Sequence, residues 1–433
     1  MSKPYLNNTV ILLTYYYDYE LRNQKLFKKY IGKMLGAYLP FRLYLYEPLT
    51  KLFPRVIVYD YLERILQVGV KAMNEEIVAL VKKEHPRYVI WTSWLYDIQE
   101  STLETIRNEG TTVIGWFFDD EWRFDDYSRW WISYLDYCVT NAVEAVPKYK
   151  ALGARVIQTI PNTGTAIHRD WTKIEENYEV SFVGSRYYAD RELWVEQLKN
   201  KNIPLHLFGN GWTEYVSFED MLDIFKTSKI NLNFSRTPTQ NKLQIKGRMF
   251  QVCLAGGFLL TEYVPGIERY FEIGKEIVCF NNIEELTEKI TYYLNNETER
   301  RSIAEAGWKK ATNSYTSLHM ISRVFTDIER IAKNEELHKK AKVARLTDNT
   351  QIRRLFSSHY LHWGIIFLTE NYKDLWKDAL ALSISYNPFN LVAQGYRIIG
   401  FFPLLLRPTL LRLYQCFLKT YDRLTSRRNM HYF

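Results

Sequence analysis

The 433-residue sequence predicts an α/β protein built from two consecutive doubly wound, Rossmann-like parallel sheets and a C-terminal helical extension. Three observations predict it. Short β-branched and aromatic runs alternate with longer helical patterns over most of the chain. That rhythm breaks once, near the middle, at a segment rich in Pro, Asn and Gly. Beyond about Glu335 the helical pattern continues without strands. Length agrees, because a single hydrophobic core rarely organises more than about 250–300 residues.

The first set of strands is expected at Thr9 to Tyr15, Arg55 to Tyr59, Tyr88 to Trp91, Thr112 to Phe118, Tyr137 to Thr140 and Val156 to Ile160, with a helix over Glu63 to Lys83. The stretch PNTGTAIHRDWTKIEEN, with Pro161, Asn162 and Gly164, reads as the interdomain connection. A second set follows at Val180 to Val183, Leu205 to Phe208, Ile230 to Phe234, Phe258 to Thr261 and Glu276 to Phe280. Ser217 with Asp220, and Asn282 with Glu285, have the spacing of helix N-caps. The expected domains are 1–165, 166–334 and a helical extension over 335–433.

Composition narrows the function classes. A formal charge of +8 and a pI near 9.0 favour anionic partners: nucleotide phosphates, a lipid headgroup surface or nucleic acid. The basic residues are scattered and no nucleic-acid motif is present, so nucleic acid is the least favoured. Cys138, Cys253, Cys279 and Cys416 are far apart and lack metal-ligand spacing, which reads as buried thiols in a reducing, cytoplasmic compartment. The opening residues lack the long apolar region of a signal peptide, so export is not expected. No H-E-x-x-H, P-loop or G-x-S-x-G pattern occurs, which leaves metalloprotease, kinase and serine-hydrolase readings without residues. The last helices alternate Arg and Lys with Leu, Phe and Tyr, a pattern that fits either an anionic membrane surface or a helical hairpin docked on the protein.

The chemistry concentrates between Val180 and Tyr263. Ligands of doubly wound sheets bind outside the carboxyl ends of the strands. VSFVGSR ends a strand in Gly184 and Ser185, followed by Arg186, where backbone N–H groups can meet an anion; a purely steric use of the glycine is the alternative. HLFGNGW places Gly209, Asn210 and Gly211 at the next strand end beside Trp212, a ring able to cover a base or sugar. Asn233 and Ser235 end the third strand. Lys246 and Arg248 stand immediately before a helix, where fixed cations can stabilise a departing diphosphate without a metal or other cofactor; two solvated cations flanking a helix are the alternative. FQVCLAGGFLLTEY then supplies Gly256 and Gly257 at a helix end, with Glu262 and Tyr263 at the end of the following strand.

The ordered series VSFVGS, FGNGW, INLNFS, IKGRMFQVCLAGGFLLTEY and GKEIVCF, with ETERRSIAEAGWKKATNSYT after it, resembles the spore-maturation (CgeB-like) group of GT-B glycosyltransferases. GWFFDDEWRFDDYSRWW and TNAVEAVPKYKALG resemble its N-terminal domain. The likeness covers roughly residues 110 to 325. It implies two Rossmann-like domains facing a cleft, with a nucleoside-diphosphate sugar as co-substrate. It also implies that Gly184, Gly209, Lys246, Arg248, Gly256, Gly257 and Glu262 line the donor site, with Lys246 and Arg248 on the diphosphate. Where the wider class commonly has a ribose-binding Glu, this chain has Gln251, an amide without the charge-assisted strength of a carboxylate.

In the first half, Asp119 and Asp120 follow the strand VIGWFF and are candidates for the general base that accepts the acceptor's proton, as is Asp18; a solvated or helix-capping acidic cluster is the alternative. Tyr17, Trp91 and Trp94 are candidate acceptor contacts, with core packing the rival reading of the two tryptophans. The implied activity is sugar transfer to a hydroxyl of a glycan or lipid-linked acceptor in bacterial surface polysaccharide assembly. The alternative is a non-catalytic envelope or spore-maturation protein that retains the fold.

Overall fold

The computed structural model describes residues 8–14, 41–93, 95–161, 163–173, 175–187, 190–213, 216–237, 242–337, 349–369, 372, 374–401 and 406–415. Of the residues singled out above, Tyr15, Tyr17, Asp18, Trp94, Asn162 and Cys416 lie outside them.

The first sheet contains β1 (Thr9–Thr14), β2 (Arg55–Asp60), β3 (Tyr88–Ser93), β4 (Thr112–Phe117), β5 (Tyr137–Thr140) and β6 (Val156–Gln158). All pairs are parallel and the order is β2-β1-β3-β4-β5-β6. The second contains β7 (Tyr178–Val183), β8 (Leu205–Phe208), β9 (Ser228–Asn233), β10 (Leu259–Glu262) and β11 (Val278–Phe280), again all parallel, in the order β11-β10-β9-β7-β8. The expected strands form with ends displaced by at most two residues. They are readable because a parallel strand covered on both faces is a near-continuous apolar run, as in the fully buried YVIWTS of β3. Strand order reverses between β1 and β3 and between β7 and β9, and such switch points open ligand crevices at the carboxyl edge.

The helices used below are α1 (Tyr61–Glu84), α2 (Arg191–Asn200), α3 (Phe218–Thr227), α4 (Gly247–Leu254), α5 (Ser317–Leu337), α6 (Asn349–Thr369), α7 (Leu375–Tyr386) and α8 (Leu391–Gly400). Ser217 Oγ accepts from Asp220 N at 3.0 Å to cap α3, and Asn282 Oδ1 accepts from Glu285 N at 2.8 Å to cap Ile283–Asn295, as their spacing predicts.

The chain crosses between the lobes at two points that are clipped together. Gly164 N donates to Ser317 Oγ at 2.8 Å, and Ser317 N donates to Gly164 O at 2.7 Å. After the second crossing, α5 packs on the first lobe, where Phe325 meets Phe53 and Tyr88 with ring centroids 4.7 and 5.2 Å apart. The boundary expected at 334/335 therefore falls inside a helix that has already left the second sheet. Its apolar face finds more to bury against the first lobe, a preference invisible in local sequence.

The helical extension docks on the first lobe as well. Asp97, 3% exposed, holds it: its Oδ1 lies 2.6 Å from His359 Nε2 and accepts from Trp363 Nε1 at 3.0 Å. Tyr386 Oη donates to Glu100 Oε2 at 2.8 Å. Leu375 lies against Gly69, the kink of α1. Among the described residues no helix is long and apolar enough to cross a membrane, and Cys138, Cys253 and Cys279 are buried free thiols.

The Asp97 carboxylate serves two buried ring N–H groups, and removing a shared acceptor leaves both desolvated without a partner. Asp97→Ala is expected to lower unfolding stability by about 2–4 kcal/mol in urea titrations, and Asp97→Asn by less. A change below about 0.5 kcal/mol for Asp97→Ala would show that the anchor is elsewhere.

Candidate active site

The switch-point crevice of the second sheet gathers three cations. Arg248, on the first turn of α4, donates through its guanidinium to the carbonyl of Val183 at the end of β7. Arg191, the first residue of α2 and 6% exposed, donates through Nη1 to Ser185 O at 2.8 Å. Lys246, the residue preceding α4, is partly exposed; burial first, then repulsion from Arg191 and Arg248, pushes its ammonium down to about 8. Gly184 makes this crowding possible, since a Cβ there would lie 3.0 Å from Arg248 Nη1 and 3.3 Å from Arg191 Nη1. Gly209 is required for a second reason. Its φ is +102°, and a Cβ would sit 2.9 Å from Gly184 O, closing the gap between the β7 and β8 strand ends.

Asp119 faces these cations from the first lobe. It follows β4 with φ +60°, a left-handed conformation that costs a non-glycine residue about 1 kcal/mol or more. Its Oδ1 accepts from Gln244 Nε2 at 2.7 Å, across the lobes. The same amide donates to Glu121 Oε2 at 3.0 Å, Lys242 Nζ donates to Glu121 O at 2.6 Å, and Lys246 Nζ donates to Gln244 Oε1 at 3.4 Å. Asp119 thus offsets part of the cation crowding and favours the charged form of Lys246, as Glu121 does once it ionises. Burial, then the neighbouring Asp119, pushes the Glu121 carboxyl up to about 8.

The remaining predicted residues divide. Ser185, Arg186, Asn210, Gly211 and Trp212 stay together at the β7 and β8 ends: Arg186 N donates to Asn210 O at 2.8 Å, its guanidinium pairs with Glu192, and it lies 5.3 Å from the Trp212 ring centroid. Asn233, Ser235 and Glu262 form a closed network under the crevice. Asn233 Nδ2 donates to Ser235 Oγ and Thr261 Oγ1 at 3.1 and 2.9 Å; Ser235 N donates to Glu262 Oε2 at 2.8 Å; Arg236 pairs with Glu262 at 3.2 Å. They brace the strand ends rather than present free groups. Tyr263 Oη donates to Glu268 at 2.6 Å, and Gln251, buried, donates from its amide to Tyr44 Oη of the first lobe at 2.8 Å.

Four expectations are corrected. Gly256 and Gly257 do not line the crevice. α4 runs back from the carboxyl edge, so they lie at the opposite, amino edge, where a Cβ would strike Arg169 Cδ at 2.5 Å or Phe225 O at 2.6 Å. Asp120 is not available as a base. It is 1% exposed and accepts from Ser128 Oγ, Thr140 Oγ1 and Tyr149 Oη, so it ties its own lobe together. Trp91 is core, 1% exposed and edge-on to Trp131 at 4.7 Å, rather than an acceptor contact. Sequence reading missed Arg191 and Gln244. For Arg191 a signal exists, because a cation in the first turn of a helix opposes the helix dipole and is unusual without an anionic ligand nearby. Gln244 has none.

Residues 191–326, within the second lobe and the start of α5, are similar to the family described as glycosyl transferase-like, whose model they match. No curated protein matches the chain in sequence. Among solved structures, HepE of Anabaena in complex with UDP-glucose is similar at 9% identity and TM-score 0.46, covering 76% of this chain and 100% of that one. Sucrose-phosphate synthase of Thermosynechococcus elongatus is similar at 9% identity and TM-score 0.46, covering 75% and 100%. A variant of S. aureus TarM is similar at 10% identity and TM-score 0.44, covering 59% of this chain, which spans 58% of the length of TarM.

Glu121 makes stability pH-dependent with a definite sign. Its folded pKa lies above the unfolded value, so its favourable contribution is complete below about pH 4.5 and is lost as pH rises to about 8. Glu121→Gln is therefore expected to match the native chain at pH 4.5 and to exceed its stability by about 2–4 kcal/mol at pH 8.5, in urea unfolding across pH. Parallel curves for the two proteins would contradict the buried-carboxyl assignment.

Proposed function

We propose that the chain transfers a glycosyl unit from a nucleoside-diphosphate sugar to a hydroxyl of a glycan or lipid-linked glycan, without a metal ion. The observation that carries this reading is the convergence of Lys246, Arg248 and Arg191 on the switch-point crevice of a glycosyl transferase-like domain, opposite Asp119. As the bond to the sugar breaks, negative charge grows on the leaving diphosphate, and cations fixed in a low-dielectric crevice stabilise that charge more than they stabilise the bound donor. These cations supply the positive charge that a divalent ion supplies elsewhere.

In this reading Asp119 accepts the proton of the attacking hydroxyl. It stands at the carboxyl edge of the first sheet, directed at the second lobe, whereas Asp120 is committed to internal hydrogen bonds. Closure of the lobes around both substrates would align the hydroxyl with the sugar and exclude water. In the same reading Trp212, beside Gly209 and Gly211 and packed on the second lobe's core, covers the base or sugar ring. The likeness to the CgeB-like group and the sugar-transfer chemistry support a place in bacterial surface polysaccharide assembly. The buried free thiols of Cys138, Cys253 and Cys279 support a reducing, cytoplasmic setting, and the alternation of Arg and Lys with Leu, Phe and Tyr in the last helices supports peripheral attachment at the inner face of a membrane.

The diphosphate assignment is tested by calorimetric titration of the purified chain with UDP, GDP and dTDP. At least one of them is expected to bind, with Lys246→Ala and Arg248→Ala each weakening it at least about tenfold and lowering transfer by about 10²–10³. Because Lys246 is charged only below its value of about 8, affinity should hold at pH 7 and fall as pH rises past 8. No binding of any nucleoside diphosphate, or equal binding by both variants, would sink the reading.

A further inference from the structure

The outer face of the C-terminal helices concentrates apolar side chains that the fold leaves in water. Phe389 is 88% exposed, Leu391 73%, Ile398 62%, Phe401 65%, Leu406 53% and Leu413 63%. Leu391 and Ile398 on α8 and Phe401 at its C-cap recur at spacings of seven and three, so they form one stripe along a helix face. Ala393, Tyr396 and Ile399 on the opposite face are buried. The following helical stretch, 407–415, packs against α8, with the Tyr414 and Tyr396 ring centroids 5.1 Å apart. Leu406 and Leu413 are seven residues apart and exposed as well. The pair of helices thus spends one face on docking and leaves the other apolar.

Charge decides what this face meets. From residue 379 to residue 415 the sequence contains no Asp or Glu, while Arg397, Arg407 and Arg412 are present. Arg397 and Arg412 are exposed beside the apolar stripe, and Arg407 lies 5.8 Å from the Trp376 ring centroid at its base. An acid-free, cationic helix pair with an exposed aromatic and aliphatic face suits a surface that is negatively charged outside and apolar just beneath. A second copy of this chain would bring like charges together across the same patch, which disfavours self-association. A spanning segment is not the alternative within these helices, because no described helix is long and apolar enough to cross a membrane.

We infer that the face formed by α8 and 407–415 is a docking surface for an anionic lipid bilayer, with Phe401, Ile398, Leu406 and Leu413 entering the headgroup region and Arg397 and Arg412 pairing with lipid phosphates. α8 packs on α7 and α6, which are fastened to the first lobe through Glu100 and Asp97, so this attachment holds the first lobe against the membrane. The inference deepens the peripheral placement proposed above and rests on it for its biological sense, but its test needs neither sugar donor nor acceptor.

The test is flotation of the full chain with vesicles of pure phosphatidylcholine and with vesicles containing 30% phosphatidylglycerol, about a third anionic lipid being enough for surface attraction. The chain is expected to float with the anionic vesicles and to bind neutral ones at least about tenfold more weakly, each Arg at the surface contributing about fivefold. The double variant Ile398→Asp with Phe401→Asp is expected to lose binding, and Arg397→Glu with Arg412→Glu to lose at least about tenfold. All four positions are exposed, so thermal melting is expected to stay unchanged; melting curves identify any variant that has failed to fold, and the second pair then decides. No flotation of the native chain, or equal flotation of native chain and both well-folded variants, would overturn the inference. So would a concentration-dependent dimer that the aspartates disperse. Nucleoside-diphosphate binding measured on the same samples separates this outcome from failure of the transfer reading.

Discussion

Positive charge crowded at one strand edge is the constraint around which the site is organised. Lys246, Arg191 and Arg248 meet where β7 and β9 diverge, in a space narrow enough that Gly184 can carry no side chain. Burial first, and then repulsion from the two guanidinium groups, depresses the Lys246 ammonium. Two features offset that repulsion. The guanidinium groups turn their N–H donors onto the carbonyls of Val183 and Ser185, and the acids Asp119 and Glu121 approach from the other lobe through Gln244. What remains is a positive crevice, the feature on which the proposed diphosphate site rests.

The same interaction links the lobes. Gln244 donates to both acids and accepts from Lys246, so the group proposed to hold the leaving diphosphate and the group proposed to take the proton share one amide. The clipped double crossing at Gly164 and Ser317 keeps the lobes in register at the other end, and α5 returns the chain to the first lobe. Separation of the lobes would therefore expose Lys246 and part it from Asp119 together.

Much of the fold was legible in the residues. Parallel strands buried on both faces write themselves as apolar runs, and the caps at Ser217 and Asn282 follow from a side-chain oxygen three residues before an open N–H. Lys246 and Arg248 were legible as a pair because they precede a helix after a strand. The misplacements share one cause: linear adjacency does not say which edge of a sheet, or which side of a turn, a residue occupies. Gly256 and Gly257 are near Lys246 in sequence, yet α4 carries them to the far edge. Asp119 and Asp120 are neighbours, yet the left-handed turn at Asp119 sends one to the cleft and the other inward. The docking of His359 on Asp97 joins residues 262 apart, and nothing local encodes it.

If these cations hold a diphosphate, the ε-ammonium of Lys246 is the group that senses it. Its titration can be followed by NMR on chain labelled at lysine, with Lys246→Arg used to assign the signal, in the absence and presence of a saturating nucleoside diphosphate. A midpoint near pH 8 is expected in the free chain, rising by more than about one unit on binding, because the ligand supplies the negative charge the crevice lacks. A midpoint unmoved by a nucleotide that demonstrably binds would contradict that role for the cations.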